Sequence, residues 1–240
     1  MSVAFQTAGG LTTGPVDRLN HSIGVSAGSM RWTQSDLGNY WVTTNPTPGT
    51  ALAGAVSASY SATTPFLYLF NSASAGGKSV YLDYIKLICT VAPASGTIAY
   101  YALVADQAAR ALSVDHTSAL TPVGPNQTTS TTAASVLTVN AQNSATASTI
   151  AAASSAVRVV GRGAIGGIPV VGDELVIDFG PDAYLPYNGA TATVATPARR
   201  ISGTAPVVLD PQACLMVALW FPSNSATGIS YELEMGHWEQ

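Results

Sequence analysis

Several residues in this chain have types and spacings that could do chemistry, and each motif makes a demand on the structure around it. Ser72-Ala-Ser-Ala-Gly-Gly-Lys78-Ser79 is one residue away from a phosphate-binding loop, with Ser72 where the first glycine should stand. Such a loop holds phosphate because it leads into a helix that turns its N-terminal amides toward the anion. In this chain the loop leads instead into Val80-Tyr-Leu-Asp-Tyr-Ile-Lys-Leu-Ile88, β-branched and aromatic, so the stretch reads as a hairpin loop. Gly24-Val-Ser26-Ala-Gly28 matches a nucleophile elbow, which needs a buried strand before it and a helix after it. Arg18-Leu-Asn-His-Ser-Ile23 is a poor strand, and no helical period is present before Trp32, so this too reads as a loop.

His21, His116 and His237 are scattered, without an HExxH pattern, and Cys89 and Cys214 form no CxxC pair, so no zinc site is legible. The two cysteines are expected as free thiols buried in strands. Asp173-Glu174 and Asp178 to Asp182 offer oxygens but lack calcium-loop spacing and read as solvated strand ends. No two of the thirteen acidic residues stand out as a glycosidase pair. The expectation is a non-enzymatic protein with no catalytic residue, no cofactor and no metal. Tyr60, Phe66, Tyr68, Tyr81, Tyr84, Tyr100, Tyr101, Tyr184 and Tyr187 could line a sugar-stacking face, but sheet and interface packing is the favoured reading of the set.

Composition narrows the partners. Nine Lys+Arg and thirteen Asp+Glu make 9% of 240 residues charged, about a third of the usual share. Ala, Ser, Thr and Gly together supply 110 residues, so the polar surface consists of hydroxyls and backbone rather than ions. With 47% hydrophobic residues and a mean hydropathy of +0.27 the chain is too apolar for intrinsic disorder. A net charge of -4 with only Lys78 and Lys86 as lysines leaves no basic field for nucleic acid or for an anionic membrane surface. The longest apolar run, Cys214 to Phe221, is far short of the roughly 20 residues that span a bilayer. MSVAFQTAGG lacks the charged and apolar regions of a secretory signal, so a cytoplasmic origin is expected.

The elements that must position these residues are short strands. From Pro65 onward, apolar and aromatic runs alternate with Gly, Pro, Asn and Ser clusters, predicting strands near 66–71, 79–91, 97–106, 135–139, 156–163, 174–179, 206–209, 214–221 and 229–236. CLMVALWF suits a central strand covered on both faces, whereas Tyr231-Glu-Leu-Glu-Met-Gly-His237 alternates and suits a strand wet on one side. Thr128 to Ala156 is low in complexity and reads as a long loop holding one short strand, with a helical turn at 147–155. The fold class is all-β: a two-sheet antiparallel sandwich over residues 61–240, jelly-roll-like, with a closed barrel as an alternative. Residues 1–60, broken by Gly9-Gly10, Gly14-Pro15, Asn45-Pro46 and Pro48-Gly49, read as an extended arm. Its Trp32, Tyr40 and Trp41 need a covering surface, which is either the chain's own core or another subunit.

The ordered blocks Val80 to Ile88, Val159-Val-Gly-Arg-Gly163, Ile168-Pro-Val-Val-Gly-Asp173, Ala205-Pro-Val-Val-Leu-Asp-Pro-Gln212, Leu219-Trp-Phe-Pro-Ser223 and Tyr231 to Glu239 resemble a group of tailed-bacteriophage virion structural proteins. The resemblance covers about residues 60 to 240. It implies a capsid decoration or cement protein of the outer head surface, a homotrimer that clamps neighbouring major capsid subunits. On that reading Trp32, Tyr40 and Trp41 are partner-binding residues of the arm. The other class of function in view is a receptor- or glycan-binding module of a tail fibre or spike.

Overall fold

In the computed structural model the described residues are 2–7, 10–15, 31, 34–35, 37–45, 47, 49, 51–53, 58–92, 99–109, 118–124, 134–142, 149–152, 157–165, 169–180, 199–222 and 229–240. They contain fifteen strands: β1 (Ser2–Thr7), β2 (Gly10–Pro15), β3 (Tyr40–Thr44), β4 (Leu52–Ala53), β5 (Leu67–Asn71), β6 (Val80–Val91), β7 (Ala99–Asp106), β8 (Ser118–Leu120), β9 (Leu137–Ala141), β10 (Arg158–Ile165), β11 (Glu174–Phe179), β12 (Arg199–Thr204), β13 (Val208–Leu209), β14 (Cys214–Trp220) and β15 (Ser230–Glu239). Two sheets pack face to face. One runs β10-β7-β14-β5-β9-β8, and the other runs β12-β11-β6-β15-β3, with β13 beside the start of β6 and β4 beside the start of β15. The all-β sandwich expected from the sequence is the observed fold.

Alternation explains how each strand feeds the core. Leu67 and Leu69 of β5, Leu103 of β7, Val139 of β9 and Leu215 and Val217 of β14 face Ile85 and Leu87 of β6, Ile177 of β11 and Leu233 and Met235 of β15 across the interior. β14 is buried from Cys214 through Leu219 because its other face is covered as well: Cys214 and Met216 join Tyr68, Ala102, Val104 and Ile150 in a second apolar cluster. That double burial is why CLMVALWF shows no period of two. The chain crosses between the sheets at β4–β5, β5–β6, β6–β7, β10–β11, β13–β14 and β14–β15, and β14 lies between β5 and β7, so strands distant in sequence are interleaved in each layer of the sandwich. One flank is stitched as well: Val42 of β3 and Val123 exchange backbone hydrogen bonds of 2.8 Å, and on the opposite flank the Thr204 hydroxyl reaches the Val160 carbonyl at 3.5 Å.

Several expectations are corrected. The loop from Ser72 to Ser79 is not a hairpin loop, because β5 and β6 do not pair and belong to different sheets. It is a crossover tied down by Asn71, whose side-chain amide donates to the carbonyls of Lys78 and Leu209 and whose oxygen accepts from the Ala73 amide. The sandwich is not wholly antiparallel: β11 and β12 run parallel. Between Gly180 and Arg199 lie eighteen residues, enough chain for the crossover that a parallel pair requires. Thr149 to Ala152 are not helical, and the rest of 147–155 lies outside the described residues. Strands β3 and β4, inside the stretch read as an arm, are members of the seven-stranded sheet.

Candidate functional site

The residues expected to reach a partner are divided by the structure. Trp32 lies outside the described residues. Tyr40 and Trp41 sit on β3, and both are buried in their own chain, Trp41 to 4% exposure. Trp41 pairs with His237 and Tyr40 with Trp238 across the β3–β15 ladder, so the two rings fall on opposite faces of the sheet. This corrects the expectation that they spread over a neighbouring subunit: five residues of strand between Asn39 and Asn45 are enough to bury both rings in the chain that carries them.

Around Tyr40 the outer face of the seven-stranded sheet carries a charged cluster, and a β-bulge builds it. The register jumps from Tyr84 opposite Gly236 to Leu82 opposite His237, which leaves Asp83 as the extra residue. A bulge re-aims side chains. Asp83 receives Arg31 through Nε at 2.5 Å and Nη2 at 3.1 Å, and the Tyr40 hydroxyl donates to it at 2.6 Å. The Arg31 guanidinium also lies over the Tyr84 ring at 5.0 Å, and the Tyr84 hydroxyl donates to Glu234 at 2.8 Å, which Lys86 contacts at 2.5 Å. The Asp83 hydrogen bond, set against burial, raises the Arg31 pKa. Burial and the Asp83 carboxylate push the Tyr40 phenol far up, and burial and Glu234 do the same to Tyr84. Burial works to raise Glu234, but hydrogen bonds from Lys86 and Tyr84 outweigh it and leave the carboxyl below its ordinary value. Every acid here is neutralised by a cation or a phenol. The cluster therefore fastens the segment carrying Arg31 onto the sheet and has no free base to offer.

A second polar group lies between the sheets. The Ser135 hydroxyl donates to Glu239 at 2.6 Å and lies 3.2 Å from His237 Nε2, while the Val136 amide donates to Glu239 at 2.8 Å and Lys78 Nζ approaches it at 3.5 Å. Serine, histidine and glutamate together invite comparison with a hydrolytic triad, and the geometry differs from one. In a triad the carboxylate orients one ring nitrogen so that the other takes the serine proton. Here Ser135 and Glu239 share the same ring nitrogen, and the serine proton goes to the carboxylate. No described residue hydrogen-bonds His237 Nδ1, and His237 and Glu239 are both 0% exposed. Burial lowers the His237 pKa despite Glu239, so the ring is neutral near pH 7. Burial acts to raise Glu239, but His237, Ser135 and the Val136 amide hold it below the usual carboxylate range. This group clamps the start of β9 to the end of β15.

The aromatic set separates in the same way. Phe66 and Tyr231 meet edge to face in the core, Tyr68 stacks on Phe70, and Tyr81 stacks on Trp238. Tyr184 and Tyr187 lie outside the described residues. Among the described residues of the set, Tyr60 and Tyr100 are the most exposed, at 40% and 37%, and both lie against Trp220: Tyr100 stacked at 5.8 Å and Tyr60 edge-on at 5.7 Å.

The remaining candidates fall where they cannot act together. Cys89 and Cys214 form no disulfide and are buried on different sheets, and burial pushes the Cys89 thiol up to about 11. Asp173 closes a turn by accepting from the Val170 amide at 3.1 Å. Among the described residues no group of three His, Cys, Asp or Glu could hold a metal ion. The elbow around Ser26, together with His21, His116 and Asp182, lies outside the described residues. Sequence reading passed over Arg31, Asp83, Ser135, Glu239 and Trp220. The one signal for them was Asp83, a charge inside the apolar run YLDYIKL, where a regular strand would leave it unpaired. No protein-family model matches this chain, and neither a curated protein nor a solved structure does.

Proposed function

We propose that this chain is a non-enzymatic structural protein of a tailed-bacteriophage virion, a trimeric decoration or cement protein on the outer surface of the head that binds and stabilises neighbouring major capsid subunits. The observation that carries the reading is the ordered resemblance. Its blocks fall on β6, on β10, on the turn before β11, and on β13, β14 and β15, strands that build both layers of the sandwich. Composition supports it independently. A surface of Ser, Thr and Ala loses little rotamer entropy when it is locked into an interface, and symmetric copies engaging several subunits bind by avidity. Because Tyr40 and Trp41 are buried in their own chain, capsid contact falls to other surfaces.

The experiment is quantitative mass spectrometry of purified particles, paired with rebinding of the purified chain to undecorated heads. A cement protein approaches the abundance of the major capsid protein and saturates bare heads. Tens of copies or fewer, with no rebinding, would overturn the proposal. Those outcomes would favour the tail-fibre reading, which the exposed Tyr60–Trp220–Tyr100 group supports as a stacking surface for a sugar ring. Loss of glycan-array binding in Trp220→Ala would then identify that surface.

A further inference from the structure

At its β10 edge the outer face of the six-stranded sheet carries an aromatic ring that is covered on one side. Trp220 and Tyr100 are direct partners across the β14–β7 ladder, with ring planes 21° apart and centroids 5.8 Å apart, so Trp220 covers one side of the Tyr100 ring. On the other side the facing residue is Ala164 of β10, the last strand of that sheet, and Ala164 is exposed. A single methyl group borders the ring there, and Tyr100 is 37% exposed. The result is a bay about one ring wide, walled by Tyr100 and backed by Trp220, which Tyr60 meets edge-on.

A bulge supplies the bay with a charge. The β10–β7 register shifts between Val159 and Gly161, so Val160 packs on the core while Val159 and Arg162 both stand on the outer face, opposite Val104 and Ala102. Without the extra residue, strand alternation would turn Arg162 toward the interior. As it is, Arg162 is exposed and lies diagonal to Tyr100, a spacing of about 7–8 Å that a long side chain spans. Among the described residues no ion pair or hydrogen bond engages its side chain, whereas Arg31, Lys78 and Lys86 are each paired with a carboxylate.

We propose that Tyr100, Trp220 and Arg162 bind an acidic sugar, a pyranose that carries a carboxylate within a glycan. The C–H face of the pyranose stacks on the open side of Tyr100, its hydroxyls point past the edge strand into water, and its carboxylate accepts two parallel N–H bonds from the guanidinium. Size and charge select this occupant. A stable protein partner needs about 20–30 residues a side, against the five that form this bay. A nucleic acid needs a field of cations that a chain of net charge -4 lacks. A neutral sugar would leave the guanidinium without a partner. The inference rests on the stacking role given above to the Tyr60–Trp220–Tyr100 group and on no particular place in a particle.

The test is calorimetric titration of the full chain with oligogalacturonate and with the same oligomer methyl-esterified, which keeps every ring and removes every charge. A glycan array of neutral, uronate-bearing and sialylated chains accompanies it. The acid should bind at least about tenfold more tightly than the ester, and added salt should weaken the acid alone. Arg162→Gln, a change at an exposed edge position, should bring the acid down to the level of the ester. Tyr100→Ala should abolish both, with the melting of the sandwich retained. Equal affinity for acid and ester, or an Arg162→Gln chain that still prefers the acid, would overturn this inference and leave the stacking of neutral sugars standing. If no acidic glycan binds on the array or at about 10 mM in solution, or if Tyr100→Ala binds like the parent, the site does not exist. A Tyr100→Ala chain that fails to rebind undecorated heads, when no glycan binds the parent, would assign this face to a protein contact and overturn the sugar site while supporting the virion reading.

Discussion

Gly236 shows how tightly single positions are fixed in this sheet. A Cβ added there would collide with the Tyr40 hydroxyl and come within 2.7 Å of the Tyr84 ring, so Gly236→Ala must disturb the Asp83 cluster. We expect a loss of about 1–3 kcal/mol in urea denaturation, the usual range for overpacking, and partial recovery in Gly236→Ala/Tyr40→Phe, which removes the obstructing oxygen. His237 has the opposite character, a tolerated polar group whose protonation is not tolerated. Its folded pKa lies below the unfolded value of 6.5, so its contribution is intact above pH 6.5 and is lost as pH falls from there toward the folded pKa. One proton taken up on unfolding gives a slope of at most about 1.4 kcal/mol per pH unit. Glu239 and Glu234, both depressed, add further loss below their unfolded value of 4.5. Urea midpoints measured between pH 7 and pH 5 should decline in the parent chain, and His237→Gln should flatten that decline. A parent chain with constant midpoints across this range would contradict the buried neutral imidazole. Cys89 and Cys214 should resist a thiol reagent in the native protein and react together only on unfolding.

At the scale of elements, two tethers decide where chain segments lie. Asn71 is fully buried and holds the β5–β6 crossover to the end of β13 through the Leu209 carbonyl, so Asn71→Ala leaves that buried carbonyl, and the part-buried one of Lys78, short of a donor. A cost of about 2–3 kcal/mol in thermal or urea unfolding is expected. Arg31 works differently, because its side chain is 51% exposed and the ion pair with Asp83 is screened. Arg31→Ala should therefore change global stability by less than about 1 kcal/mol. Its effect should appear in limited proteolysis, with faster cleavage ahead of Asn39 and the sandwich left intact. Strands such as β6, β11 and β14 were legible because a run of β-branched residues facing a core is a local property. β3, β4, β8 and β12 were not. YWVTT sits among proline and glycine breakers, and the two or three residues of β4 and β8 carry too little pattern to rise above it; each becomes a strand because a neighbour offers backbone partners.

For the molecule as a whole, the low charge argues against nucleic acid and a basic membrane contact as partners, and among the described residues six of the charges are used at two places. Arg31, Asp83, Lys86 and Glu234 are spent on one outer sheet face, and Lys78 and Glu239 at the clamp between β9 and β15. On the proposed function, particles should contain this chain at an abundance near that of the major capsid protein, a measurement that needs no variant. The sequence by itself determined the all-β class, the order of the main strands, the absence of a helix after the lysine loop and the buried cysteines, because composition and period record what each segment can bury. Only the tertiary structure decided that Tyr40 and Trp41 are buried in their own chain, that β11 and β12 run parallel, and that Ser135, His237 and Glu239 meet between β9 and β15. Those facts depend on which strands become neighbours, β3 and β9 with β15 across a hundred residues or more of chain and β11 with β12 across a shorter crossover, and on a one-residue bulge at Asp83.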